Sequence, residues 1–264
     1  QNKCLTSEER TVRLSGLGDS FSVCSQISDT AFAIAKCNMS KPVLLSSYLS
    51  SCAWRVRIVL EVKKISYEYR TVDLKPVEGE QETDKFKVLN PMGQVPVLLV
   101  DGKPISQSVA IMEYLEEKYP QPNLLPADLY LRAKCREVVE LLVSGIEPLQ
   151  SMDLMPHLGK VTLKKWARRS ITRGFTALEA ILAETAGKYC FGDEVTLADA
   201  CLVPQVCNVY HFCLDVTPFP VIQRIYETLQ QHPLVKKADP SCQPDTPPTG
   251  IPNTADLFKG PGDQ

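Results

Sequence analysis

A serine pair and a cysteine stand where a helix is predicted to begin. Ser50, Ser51 and Cys52 follow an apolar run and precede a helical pattern, so they lie where free backbone amides and the positive end of a helix favour an anion. A hydroxyl at that point can donate a hydrogen bond to a thiolate and lower the pKa of the thiol, and the thiolate is the reactive form. Plain N-capping by serine is the competing interpretation.

A cysteine at this turn also raises the question of redox chemistry. Cys52 follows two serines, lies on the apolar side of the first helical turn and has no partner at CxxC spacing. We therefore interpret it as a supporting residue rather than a redox centre. The sequence predicts no metal site, because His157, His211 and His232 are far apart and the cysteines lack paired spacing.

Three further places in the first half are candidates for holding an extended peptide. A cis bond between Val95 and Pro96, just before a strand, would turn the Val95 backbone outward to pair with the peptide. Gln107 and Ser108 begin a helix, where amides and a hydroxyl can hold a carboxylate. Gln81 is a polar side chain near the start of a short helix. Helix capping by Ser108 and simple solvent exposure of Gln81 are the alternatives.

These candidates lie in a predicted α/β domain over residues 41–122. In its first helix, Val56 and Leu60 share an apolar face, whereas Arg57 lies on another face. Asp101-Gly102 predicts a tight turn between two strands. The predicted order is βαβ-α-ββ-α, with a strand from Val43 to Ser47, a helix from Cys52 to Lys64, a strand from Tyr67 to Leu74, a short helix from Glu82 to Leu89, strands from Val97 to Val100 and from Lys103 to Ser106, and a helix from Ser108 to Lys118.

The second half has no strand patterns and predicts an all-helical domain over residues 128–240. Its long helix from Leu163 to Ala186 places Trp166 on the apolar face. Thr196 and Asp199 have the spacing of a capping box at the start of another helix. The remaining predicted helices run from Leu129 to Leu142 and from Pro220 to Gln231.

Composition favours small-molecule chemistry in a soluble, cytoplasmic protein. The 264 residues carry 29 basic and 31 acidic side chains, for a net charge of -2, which gives no field for non-specific binding of nucleic acid or an anionic membrane. Charged residues or prolines interrupt every apolar run before the roughly 18 residues of a membrane span. The ten cysteines, scattered through helical patterns, favour reduced thiols.

The two ends differ from the rest of the chain. Residues 1–40 lack sustained periodicity and are predicted to be a disordered extension, with Met39 as a candidate native start and an organelle presequence as the alternative. Residues 241–264 are rich in proline and glycine, which predicts a disordered tail.

The run from Ser50 to Ile58, SSCAWRVRI, closely resembles the SSCxWRVRI signature of zeta-class glutathione transferases. The similarity continues through residues 89–97, 107–117 and 189–206, and covers roughly residues 41–246. It implies a thioredoxin-like domain that binds glutathione, a helical bundle domain that shapes the pocket of the second substrate, and a homodimer.

The resemblance also implies a reaction, the cis-trans isomerisation of maleylacetoacetate to fumarylacetoacetate by thiolate addition, rotation and elimination. Displacement of halide from α-haloacids on the same scaffold, and a non-catalytic binding module, are the alternatives. By position, Ser50 would activate the glutathione sulfur with Ser51 and Cys52 in support, Val95 would pair with the cysteinyl unit, Gln107 and Ser108 would hold the γ-glutamyl carboxylate, and Gln81 would contact the other end of the peptide.

The chain departs from the resembled pattern at three places. Glu147 stands where the family has Gln, the stretch 151–153 replaces Asn-Leu-Ser, and His211 stands where an Arg is expected to bind a substrate carboxylate. A neutral imidazole supplies little positive charge at pH 7, so Arg55 is the other candidate for that role. The preference for a diacid substrate is therefore open, and His211 is equally interpretable as a structural residue.

Overall fold

One mixed sheet organises the first half of the chain. A computed structural model of the protein describes residues 41–75 and 78–252. Within that part, the strands pair in the order β2-β1-β3-β4, with β1-β2 parallel and both other pairs antiparallel. The strands are β1 (Val43–Ser46), β2 (Glu68–Thr71), β3 (Val97–Val100) and β4 (Lys103–Ser106).

Three helices complete this half in the predicted order βαβ-α-ββ-α, which the structure confirms. They are α1 (Ser51–Val62), α2 (Asp84–Lys87) and α3 (Ser108–Lys118). Helix α1 is buried on nearly every side, including Arg57, which the sequence placed away from the apolar face. The Arg57 guanidinium compensates for its burial by donating to Ser46 Oγ at 3.1 Å, Ser47 O at 3.0 Å and Ala238 O at 3.1 Å.

Helices form the second half, as predicted. They are α4 (Leu129–Glu140), α5 (Met155–Leu158), α6 (Lys160–Thr185), α7 (Leu197–His211), α8 (Pro220–Gln230) and α9 (Pro233–Lys237). The capping box at Thr196 and Asp199 is present. Two details differ from expectation: helix α4 continues into a π-helical turn, Leu141–Ile146, and Trp166 is 46% exposed. Helix α6 instead buries Ala167 and Phe175 at its inner face.

A continuous apolar core joins the two halves, and it contains residues from β1, α1, α3 and every long helix of the second half. A smaller apolar cluster covers the other side of the sheet. The segment between the halves is held by Lys63, whose Nζ lies 2.6 Å from Glu116 Oε2 and donates to Tyr119 O and Pro122 O. The predicted domain limits at residues 122 and 128 stay a prediction.

The sequence placed residues 241–264 in a disordered tail, and the described part of that segment, residues 241–252, contacts the first half of the chain through Asp245. Asp245 accepts hydrogen bonds from Tyr48 N at 2.9 Å and from Tyr69 OH at 2.8 Å. The predictions for residues 1–40 and 253–264 lie outside the described residues. In the described ranges, no helix has both the length and the hydropathy needed to cross a membrane.

Candidate active site

The start of α1 brings together the three residues that the sequence singled out. Ser50 is the N-cap, and its Oγ accepts a hydrogen bond from Ala53 N at 3.1 Å. The amides of Ser51 and Cys52 lie in the first helical turn, where a helix provides no acceptor of its own. Capping and anion binding therefore use different atoms of the same turn, and the two interpretations of Ser50 are compatible.

The three side chains differ in where their own protons go. Ser51 Oγ donates to Glu147 Oε1 at 2.9 Å, and Cys52 Sγ donates to the same oxygen at 3.0 Å. The Ser50 hydroxyl has no acceptor among the residues that the structure describes. Ser50 is thus the member of the trio whose proton is available to a ligand.

The Glu147 carboxylate, which accepts hydrogen bonds from Ser51 and Cys52, also forms an ion pair with the buried Arg55. Arg55 Nη2 lies 2.7 Å from Glu147 Oε2, and Arg55 Nη1 donates to Ser108 Oγ at 3.3 Å. Burial works against the charged guanidinium, but the Glu147 carboxylate outweighs it, so the pKa of Arg55 is raised. Because Arg55 is already paired with Glu147, it could bind a substrate carboxylate only by giving up that ion pair.

Cys52 is held as a neutral thiol. Burial raises the pKa of Cys52 to about 12, with Arg55 opposing that rise and Glu147 adding to it. A thiol with this pKa is almost entirely protonated at neutral pH and is a poor nucleophile. The environment of Cys52 therefore agrees with a supporting role.

Glu147 is the member of this hydrogen-bonded network to which sequence reasoning gave no role. It begins the 3-10 turn Glu147–Gln150 directly after the π-helical turn Leu141–Ile146. π-Helical turns are frequent at functional sites. The side-chain amides of Gln150 and Gln205 fix this turn to α7 through reciprocal buried hydrogen bonds of 2.9 and 3.0 Å. The available signal was Arg55 itself, since an arginine in a largely apolar helix requires an acidic partner.

The loop before β3 has the predicted backbone geometry. The Val95-Pro96 bond is cis, and Val95 is buried. Asn90 holds the preceding turn, because its Nδ2 donates to Gln94 O at 2.7 Å and its Oδ1 accepts from Met92 N at 3.1 Å. The role of Val95 in pairing with a ligand backbone stays a prediction.

Gln107 has an unusual backbone at the start of α3. Its φ is 71° and its ψ is 118°, a positive φ that non-glycine residues seldom adopt and that costs on the order of 1–3 kcal/mol. Strain of this kind is concentrated at ligand-binding sites. The next residue, Ser108, is buried and accepts from Arg55, so its own hydroxyl proton remains to be donated.

Gln81 and His211 lie outside this network. Gln81 Nε2 donates to Lys75 O at 2.8 Å, while its buried Oε1 has no partner within the described residues. That oxygen is a candidate acceptor for a ligand. His211 ends α7 and is half-buried, and burial lowers its pKa, so it is neutral at pH 7. In the described part of the chain, no hydrogen bond or ion pair joins His211 to Arg55 or Glu147.

The arrangement can bind an anion and keep it reactive. A helix start with free amides and an unused hydroxyl stabilises a thiolate more than a thiol, which lowers the pKa of the bound sulfur. Ser51, Cys52 and Arg55 form one hydrogen-bonded network through Glu147, Ser108 joins it through Arg55, and Ser50 lies beside it. Such an arrangement suits chemistry on a bound thiol more than redox chemistry at Cys52, whose pKa is raised to about 12.

Comparison with known proteins supports this interpretation. Residues 49–118 match the glutathione S-transferase N-terminal domain, and residues 157–238 match the C-terminal domain. The chain is 50% identical over 207 residues to the maleylacetoacetate isomerase of Mus musculus, covering 78% of this chain and 96% of that protein. It is 49% identical over 213 residues to a probable maleylacetoacetate isomerase of Drosophila melanogaster, covering 81% and 93% respectively.

A solved structure shows the same fold. The maleylacetoacetate isomerase of Anaeromyxobacter dehalogenans, crystallised with glutathione in its active site, has 42% sequence identity and a TM-score of 0.71, and the match covers 78% of this chain and 98% of that one. Another crystal of that protein contains dicarboxyethyl glutathione and citrate in the active site. The chain belongs to the glutathione S-transferase family, in its zeta, or maleylacetoacetate isomerase, class.

Proposed function

We propose that this chain binds glutathione and catalyses the glutathione-dependent cis-trans isomerisation of maleylacetoacetate to fumarylacetoacetate. The observation that carries the proposal is the Ser50 hydroxyl, whose proton has no acceptor among the described residues, while those of Ser51 and Cys52 are donated to Glu147. Identities of 49–50% to maleylacetoacetate isomerases, over most of both chains, support the choice of substrate.

The residues present fit glutathione. The first-turn amides and the Ser50 hydroxyl suit its sulfur, and the Gln107-Ser108 helix start suits a carboxylate. Gln81 Oε1, which has no hydrogen-bond partner in the described part of the chain, suits an N–H donor of the peptide, and the Val95 backbone is the candidate partner for its central unit. When bound, glutathione supplies the thiolate that adds to the conjugated double bond and is eliminated, unchanged, after the new single bond has rotated.

The work of the protein in this reaction is electrostatic. Ser50 donates a hydrogen bond to the sulfur in its anionic form, and the helix start adds amide dipoles to that stabilisation. Ser51 and Cys52 contribute their amides, since their side-chain protons are held by Glu147. The complete cycle consumes no proton, because the elimination step restores the thiolate that added.

A homodimer and a cytoplasmic location are also part of the proposal. Buried reduced thiols such as Cys135, Cys190 and Cys201 support a reducing compartment. Large apolar side chains exposed on both halves, among them Val88 and Leu129, support a subunit contact. Light scattering tests the dimer, which has twice the chain mass of 29.4 kDa.

The experiment that tests the function combines binding and turnover. The full chain is applied to a glutathione resin, and the loss of maleylacetoacetate absorbance is followed with and without glutathione. We expect retention on the resin and a turnover that requires glutathione, beside a parallel assay of dichloroacetate dechlorination. Failure to bind the resin, together with no turnover of either compound, would show a non-catalytic binding module.

A further inference from the structure

The loop that leads into α1 carries the Ser50 hydroxyl, and its backbone is tied to a buried cation. Residues 47–50 connect β1 to α1, and Ser50 N donates to Ser47 O at 3.1 Å, which closes the turn. The same carbonyl accepts from Arg57 Nη1 at 3.0 Å, and the Arg57 side chain is buried. The backbone at Ser50 is therefore coupled through Ser47 to a side chain of α1 itself.

Asp245 holds the middle of the same loop from a distant part of the chain. Its Oδ2 accepts from Tyr48 N at 2.9 Å, and its Oδ1 accepts from Tyr69 OH at 2.8 Å. Tyr69 lies in β2, which pairs with β1 in the sheet. Burial lowers the pKa of Arg57, and Asp245 is among the groups that oppose that fall. Arg57 and Asp245 thus hold adjacent residues of the loop with side chains of opposite charge.

The segment that carries Asp245 is itself fixed to α1. It follows α9, where Lys237 Nζ lies 2.7 Å from Glu61 Oε2 of α1. Ala238 is buried, and its carbonyl accepts from Arg57 Nε at 3.1 Å. The carboxylate of Asp245 is therefore presented to the loop by an anchored backbone.

We infer that Asp245 is a positioning residue for the proposed reaction, because it fixes the Tyr48 amide and thereby the turn that aims the Ser50 hydroxyl at the glutathione sulfur. The inference rests on the proposed function. Without Asp245, the loop keeps its hydrogen bonds at Ser47 O and loses the one at Tyr48 N, two residues before Ser50. A hydrogen bond weakens steeply when its angle is distorted, and a misplacement of about 1 Å can cost roughly 100-fold in rate.

The test compares Asp245→Ala, which removes both acceptors, with the wild type of the full chain. We expect kcat/KM with maleylacetoacetate to fall at least about tenfold, and the pKa of the bound glutathione thiol to rise by about one unit, the same factor of ten in ionisation. The affinity for S-methylglutathione, which has no thiol proton, should stay within about twofold of the wild-type value. A general disruption of the site would instead weaken S-methylglutathione as strongly as it lowers turnover.

Two further variants separate the hydrogen bonds of Asp245 from general stability. Asp245→Asn keeps an acceptor oxygen for Tyr48 N and can donate to the Tyr69 hydroxyl, so it should retain most of the turnover. Asp193→Ala is the matched control, since Asp193 is an exposed aspartate that accepts a backbone N–H from Lys188 at 2.8 Å. It should leave kcat/KM and the pKa of the bound thiol unchanged.

Hydrogen exchange tests the positioning without any ligand or turnover. In the ligand-free chain, the amides of Tyr48 and Ser50 should exchange at least about tenfold faster in Asp245→Ala than in the wild type. The same amides should exchange at the wild-type rate in Asp193→Ala.

Several results would overturn the inference. Asp245→Ala could keep the wild-type kcat/KM and thiol pKa, S-methylglutathione affinity could fall as far as turnover, Asp245→Asn could fail to retain turnover, or exchange at Tyr48 and Ser50 could be unchanged. If Asp245→Ala is poorly folded, Tyr69→Phe removes one of the two hydrogen bonds to the carboxylate and should still raise the pKa of the bound thiol; no rise also overturns the inference. A wild type that ignores glutathione and maleylacetoacetate refutes the proposed function instead, and the exchange measurement still decides whether Asp245 holds the loop.

Discussion

Replacing Ser50 by alanine removes two contributions of this side chain, one to stability and one to catalysis. The contribution to stability is the helix cap, a hydrogen bond of 3.1 Å from Ala53 N to Ser50 Oγ. Its loss should lower the free energy of unfolding by about 1 kcal/mol, which for a domain of this size is a fall of about 2–4 °C in Tm. The proposed contribution to catalysis is the hydrogen bond from the Ser50 hydroxyl to the glutathione sulfur.

The chemical loss should be much larger than the structural one. A hydrogen bond to a charged group contributes about 1.5–3 kcal/mol, so Ser50→Ala should raise the pKa of the bound thiol by about 1–2 units. The matching loss in kcat/KM is roughly 10- to 150-fold at neutral pH. Steady-state kinetics and thermal melts on the same samples measure both effects.

Neighbouring variants provide the controls. Ser51→Ala and Cys52→Ala remove protons that are already donated to Glu147, so each should lose less activity than Ser50→Ala. Ser50→Thr keeps both a hydroxyl and a cap, and it should retain most of the turnover. Equal losses at Ser50 and Cys52, or a larger loss at Cys52, would refute the assignment of roles.

Three further predictions follow from buried groups. Lys63→Met should lower the free energy of unfolding by about 3–5 kcal/mol, since it leaves Glu116 buried without its cation; a denaturant titration measures this, and a loss below about 1 kcal/mol contradicts it. Iodoacetamide at pH 7.5 should label exposed Cys242 well before Cys52, because burial raises the pKa of Cys52 to about 12; peptide mass spectrometry gives the order, and early labelling of Cys52 argues against it. Burial lowers the pKa of His211 from 6.5. As the pH falls below about 6.5, the unfolded chain therefore gains a proton on this imidazole that the folded chain does not, and the free energy of unfolding falls. His211→Gln should flatten that fall, and an unchanged profile of stability against pH contradicts the prediction.

The sequence predicted most of the fold because its signals are local. Short continuous apolar runs mark β1 and β3, the Asp101-Gly102 turn fixes the hairpin, and the spacing of Thr196 and Asp199 specifies a capping box. Each of these patterns acts over a few residues, and all appear in the structure. The position of Ser50, Ser51 and Cys52 at the start of α1 was predicted from the same kind of local signal.

Contacts between distant parts of the chain were not predictable. Glu147 meets Ser51 across 96 positions, and Asp245 orders a proline-rich segment through Tyr69, 176 positions away. The burial of Arg57 depends likewise on the carbonyl of Ala238. The exposure of Trp166 shows the reverse error: Leu163 and Ala167 on either side of it are fully buried, so the buried stripe of α6 is narrower than the apolar spacing suggested.

The most direct measurement is the pKa of the glutathione thiol on the protein. The ultraviolet absorbance of the thiolate is titrated with pH for the complex, and the spectrum of the protein alone is subtracted; Cys52 adds little to it because its pKa is raised to about 12. The bound thiol should ionise below the value of about 8.5 typical of a free cysteine thiol, and Ser50→Ala should move it back up by about 1–2 units. A bound thiol no more acidic than free glutathione would contradict the claim that Ser50 and the start of α1 stabilise the thiolate.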